Sequence, residues 1–200
     1  VIFFPKIIKC FNETPERLEG IFNSVLKIIS VMSLSLAVLI IVASDFMTTA
    51  IFGENFIGAA VILQLLTGYF SFSIISSAFT YTLISMNKEN DYTAALFWSM
   101  IVFMIIIFSF TGIAVAAISL VIFQFVTLVL MYLKLVKVIR INFLRSVVLP
   151  LAITVMLVTL IAYLKFDLII MFPLAVVICI PLIMMAGGMN LNDFRFLKRI

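Results

Sequence analysis

The chain has 200 residues, 66% of them apolar and 11% charged, with a formal net charge of +4 and no histidine. A soluble domain carries about 45–50% apolar and about 25% charged residues, so this composition excludes one and places the chain in a membrane. Without histidine the commonest metal ligand and the usual proton carrier are missing, and Cys10 and Cys179 offer neither a disulfide framework nor metal-ligand spacing.

Val1-Ile2-Phe3-Phe4 reads as the end of a preceding span, stopped by Pro5. No signal-peptide pattern opens the chain, which therefore reads as a piece of a longer protein with a natural, charged C-terminus. Residues 1–20 form a polar cytoplasmic connection containing Lys6, Lys9, Glu13, Glu16, Arg17 and Glu19. Thr14 and Pro15 have the character of an N-cap and a first helical residue.

Span one is expected over 21–50. Ser30, Ser33, Ala37 and Ser44 fall within one narrow arc at 100° per residue, a stripe that lets another helix approach closely. The connection from Asp45 to Phe56 has no Lys or Arg and turns at Gly53. Span two follows in a run without charge over 57–86. As one helix that run is about 45 Å long, more than a hydrocarbon core of about 30 Å, so it must tilt, bend or project. A short charged loop at 87–91 leads to span three, 92–108, and an uncharged turn at 109–112 leads to span four, 112–133. Gly112, Ala116 and Ala117 read as close-packing residues at its start.

A basic stretch follows, with Lys134, Lys137, Arg140 and Arg145 interleaved with Leu135, Val138, Ile139, Ile141 and Phe143. Span five is expected over 146–164, with Pro150 in its first turns. Span six, 168–186, holds Pro173 and Pro181 and should kink there. A basic tail closes the chain.

With six spans, 12 of the 13 Lys and Arg residues fall on one side and only Lys165 on the other. The positive-inside rule then places both termini in the cytoplasm. Tyr92, Tyr132 and Tyr163 fall at the expected membrane boundaries. The fold class expected is all-α: a polytopic membrane bundle of six transmembrane helices.

Span two is the most polar of the six. Gln64, Thr67, Gly68, Ser71, Ala78, Thr82 and Ser85 group on one side; Tyr69, Ser73, Ser76, Ser77 and Thr80 group on the other. One face could line a hydrated cavity, or both could serve helix packing. Gln64, Thr67 and Ser71 lie at successive turns and are the substrate-cavity candidates, with Gln64 foremost because a buried amide must find partners. Lys134, Lys137, Arg140 and Arg145 are candidates for anionic lipid headgroups; they serve equally as a topology determinant on an interfacial helix. No charged residue falls within spans two to six, and no catalytic or metal constellation is visible, so neither an enzyme nor a metal or cofactor is expected.

Three pieces in order carry a resemblance: Phe3-Phe4-Pro5-Lys6-Ile7, then Ile51-Phe52-Gly53-Glu54-Asn55-Phe56 with Ala59-Ala60, then Thr82-Leu83-Ile84-Ser85-Met86-Asn87-Lys88. A fourth is Gly112-Ile113-Ala114-Val115-Ala116-Ala117. Together they resemble the C-terminal half of polysaccharide-export flippases, within the multidrug/oligosaccharidyl-lipid/polysaccharide exporter superfamily. The resemblance covers residues 1–135; residues 140–200 match only in hydropathy and in a charged tail. It implies a four-helix part of the C-terminal lobe over 21–139 and a two-helix hairpin with a basic tail over 140–200. It also implies flipping of a lipid-linked oligosaccharide across the bacterial cytoplasmic membrane by alternating access. The implied partners are membrane lipids, that substrate and the N-terminal half of the same protein, which would hold the pyrophosphate; no nucleic acid is expected. The alternatives are a drug or metabolite antiporter of the same superfamily and an integral membrane glycosyl or acyl transferase.

Overall fold

The structure is a computed structural model and describes residues 15–164 and Pro181. The connection expected to be cytoplasmic up to Thr14, the expected span six, the basic tail, Lys165 and both cysteines lie outside the described residues. What is described is helical, without a strand, and four of its helices are long and apolar enough to cross a membrane. The protein is a helical, multi-pass membrane bundle.

Helix α1 runs Pro15–Phe52, α2 Ala59–Ser85, α3 Glu89–Ser109, α4 Ile113–Leu135 and α5 Leu149–Leu164. The first four correspond to spans one to four. Helix α1 starts at Pro15 rather than at residue 21, because Glu16, Arg17 and Leu18 are good helix formers and loss of hydropathy alone does not end a helix. Its 38 residues make it about 57 Å long, so α1, rather than α2, exceeds the hydrocarbon core most. Helix α3 starts at Glu89, and Glu89 and Asp91 in its first turn oppose the helix dipole.

Three connections hold a residue at positive φ, the first being Gly53 (φ 88°) after α1, at the expected turn. Helix α2 ends with Asn87 at φ 55°; the Asn87 N–H donates to the Ile84 carbonyl at 3.0 Å and the Lys88 N–H to the Leu83 carbonyl at 2.9 Å. This is a Schellman end, in which asparagine takes the position usually held by glycine. Gly112 has φ 132° and is exposed. It makes the α3–α4 turn rather than the close helix contact expected of it, while Ala117 is buried.

Helices α1 and α3 run one way, and α2 and α4 the other. Helix α2 lies between α1 and α4, and α3 packs mainly on the flank of α4 rather than on α2, its neighbour in the chain. Phe72 of α2 meets Phe125 of α4 at 5.6 Å between ring centroids, and Phe103 of α3 meets Phe123 of α4 at 6.0 Å. Helix α5 covers another side of α1, where Leu151, Ile153 and Val158 pack on Val31, Leu34 and Val38. The main core lies toward the basic end of the bundle. Phe22 and Leu26 of α1, Ile75, Phe79 and Leu83 of α2, and Leu128 and Met131 of α4 meet there. Phe97, Trp98, Met100, Ile105 and Phe108 of α3 remain exposed, a surface that hydrocarbon solvates.

The basic stretch is not one continuous helix: Lys134 lies in the last turn of α4 and Arg145 in a π turn, with Lys137 and Arg140 between them. After α4 ends at Leu135 the chain turns, runs without regular structure over 140–142, and one π turn at Leu144–Val148 leads into α5. Along this connection burial alternates: Ile139, Ile141 and Phe143 pack into the core while Arg140, Asn142 and Leu144 do not. No helix spans residues 136–142, so α4 is not followed there by an interfacial helix. Because Ile141, Phe143 and Val147 join the main core, packing is continuous across residue 140.

Candidate functional site

The small residues of α1 and the polar face of α2 meet. Ser30, Ser33, Ala37 and Ser44 are all buried. On the same arc, Phe22 lies edge-on to Phe79 of α2 at 5.3 Å. Toward the other end of the pair, Gln64 Nε2 donates to Ser44 Oγ at 2.8 Å. The Ser44 hydroxyl donates in turn to the Ile41 carbonyl at 2.8 Å, and Thr48 donates to the Ser44 carbonyl. The serine oxygen is thus free to accept because its proton is already engaged on its own helix.

Thr67 and Ser71 continue this seam. They are 4% and 6% exposed. Thr67 Oγ1 donates to the Leu63 carbonyl at 2.7 Å and Ser71 Oγ to the Thr67 carbonyl at 2.9 Å. Both protons are satisfied one turn back along α2, and both oxygens keep acceptor capacity. All three cavity candidates therefore lie in the closed α1–α2 seam. Gln64 alone reaches across it; Thr67 and Ser71 bond within α2. Gly68 beside them points elsewhere: a Cβ there would meet Val121 of α4 at 3.9 Å.

The second polar face of α2 divides. Ser76 and Thr80 face α4, while Ser73 and Ser77 remain half-buried. Gln124 Nε2 of α4 donates to Ser76 Oγ, whose own proton goes to the Ser73 carbonyl at 3.1 Å. Thr80 Oγ1 lies 3.6 Å from Met131 Sδ. The Gln124–Ser76 contact repeats the chemistry of Gln64–Ser44 with the donor and acceptor helices exchanged. Helix α2 is held by one amide–hydroxyl clasp on each side. Gln124, 7% exposed, has no part in the sequence reading. Its signal was available: the chain has two glutamines, 64 and 124, and both interrupt long apolar runs.

The described cations gather at the basic end. Lys134 Nζ pairs with Asp91 Oδ1 at 2.8 Å, both partly exposed. Lys88 and Lys137 stand close enough to add to the field at that carboxylate. Lys137 and Arg140 are exposed and make no ion pair among the described residues. The side chain of Arg145 is not described. Among the described residues no three His, Cys, Asp or Glu side chains come together as a metal site. No family model matches the chain, and no curated protein or solved structure matches it.

Proposed function

We propose that the chain is the C-terminal lobe of a flippase that moves a lipid-linked oligosaccharide across the bacterial cytoplasmic membrane. In this reading it has six spans with both termini in the cytoplasm, works beside an N-terminal lobe, and alternates access without covalent chemistry. The observation that carries the reading is the α1–α2 seam. A neutral amide and two hydroxyls of α2 sit against the buried serines of α1, with acceptor capacity unspent on Thr67 and Ser71. Parting α1 from α2 here breaks the Gln64–Ser44 hydrogen bond, worth about 0.6 and at most about 1.7 kcal/mol in a membrane. It then presents a continuous polar strip that suits sugar hydroxyls. The cations at one end support the orientation, since that end faces the cytoplasm under the positive-inside rule.

The test is transbilayer movement of a lipid-linked oligosaccharide in vesicles holding the full-length protein, read by lectin or glycosidase access from outside. Movement above that of protein-free vesicles is expected. Sodium- or proton-driven efflux of an organic cation without oligosaccharide movement would replace the reading with the antiporter. For topology, a cysteine replacing Glu54 should label from outside the cell and one replacing Asn90 from the cytoplasm. The opposite pattern sinks the orientation.

A further inference from the structure

Three backbone groups of the basic segment are held by two side chains of α1. Glu19 Oε1 accepts from the Arg140 N–H at 2.8 Å. Asn23 Nδ2 donates to the Arg140 carbonyl at 3.1 Å, and Asn23 Oδ1 accepts from the Asn142 N–H at 3.0 Å. The Asn23 carboxamide therefore reads residues 140–142 as an adjacent strand would, a carbonyl and the N–H two residues on. Asn23 is itself fixed, since Nδ2 also donates to the Glu19 carbonyl at 2.9 Å.

The clamp sets the direction of the side chains. Ile139, Ile141 and Phe143 are anchored in the core, and the Phe143 ring lies 4.5 Å from that of Tyr132. Arg140 is thereby held outward, with Lys137 on the preceding turn also exposed. Beside them Val138 and Leu144 are exposed apolar groups, Leu144 at 74%. Cations without an ion pair among the described residues, next to exposed apolar side chains at the end of a membrane bundle, match a ligand with a phosphate and an acyl chain. A free phosphate has no use for the apolar part.

We propose that residues 137–144 form a preformed seat for an anionic lipid, in which Lys137 and Arg140 hold the headgroup phosphate and Asn23 is the positioning residue. The proposal needs only the bilayer and stands independently of the transport reading. The backbone that carries Arg140 is held before lipid arrives, so less ordering is lost on binding than by a cation on a loose loop.

The test is native mass spectrometry of the full-length protein in neutral detergent at low salt, titrated with phosphatidylglycerol, with phosphatidylcholine, and with inorganic phosphate. Phosphatidylglycerol should bind more tightly than either of the others. Each cation removed should weaken it about fivefold, so the K137Q/R140Q double variant should lose about 25-fold while phosphatidylcholine binding is unchanged. Asn23→Leu keeps both cations and should weaken phosphatidylglycerol several-fold. If that variant does not fold, Asn142→Pro removes the clamped N–H without touching α1 and should do the same. Glu19→Gln keeps the acceptor, removes a negative charge beside Arg140, and should tighten binding by up to about fivefold. The seat is overturned if the double variant binds phosphatidylglycerol like the wild type, or if phosphatidylcholine or inorganic phosphate binds equally well. The role of Asn23 is overturned if neither clamp variant changes affinity.

Discussion

The most informative perturbation is to empty the α1–α2 seam of polar groups without changing its volume. Leucine at Thr67 or Ser71 would not do this. Both side chains are buried, and added methylenes in a closed seam cost about 1–3 kcal/mol each. Loss of transport could then not be separated from loss of fold. The triple variant Gln64→Leu, Thr67→Val, Ser71→Ala avoids overpacking. Its folding cost follows from the hydrogen bonds. Thr67 and Ser71 donate only to carbonyls of their own helix, which keep their helical partners, so removing those hydroxyls costs little. Gln64 loses its bond to Ser44, about 0.6 and at most about 1.7 kcal/mol. Ser44 is not orphaned, because its hydroxyl still donates to Ile41. The total should stay below about 2 kcal/mol, within reach of a stable membrane protein. Transport should suffer more. If each of three groups meets a sugar hydroxyl during passage at about 0.5–1.5 kcal/mol, flipping falls by at least about tenfold. The assays are denaturant unfolding in mixed micelles and oligosaccharide movement in vesicles at matched protein content. Native flipping in a folded triple variant would refute the cavity role. Unfolding by more than about 4 kcal/mol would refute the hydrogen-bond accounting.

Phe79 is fully buried between Phe22 and Phe143, so Phe79→Ala should cost about 3 kcal/mol, the low end for such changes, because lipid replaces water in the transfer term. The same unfolding assay reads it, and a loss under about 1 kcal/mol would place the core elsewhere. Asn87→Gly should be neutral or slightly stabilising, whereas Asn87→Val should cost about 1–2 kcal/mol, because the residue stands at φ 55°; equal stabilities would contradict the Schellman end. Asp91→Asn should change stability by less than about 1 kcal/mol, since the Lys134 pair is exposed to screening, and added salt should erase the difference.

Much of this protein follows from local composition. Apolar runs separated by Gly53, the 87–91 loop and Gly112 determine four membrane helices to within a few residues at each end. Hydrophobicity and backbone hydrogen-bonding demand act along one segment at a time, so a single sequence carries them. The azimuth of each polar residue is likewise legible, which is why Ser30, Ser33, Ala37 and Ser44 could be grouped and are buried together. Which helix stands at that azimuth is another matter. All the spans are similarly apolar, so hydropathy states no preference among partners. Only tertiary packing places α4 between α2 and α3, sends Gln64 to Ser44, and sends Ser76 to Gln124. Asn23 is the clearest case: nothing in Phe22-Asn23-Ser24 marks it, and its role is set by backbone atoms 117 and 119 residues away. Those atoms are free to meet it because the segment leaves helical geometry over 140–142 while Ile139, Ile141 and Phe143 hold it against the core.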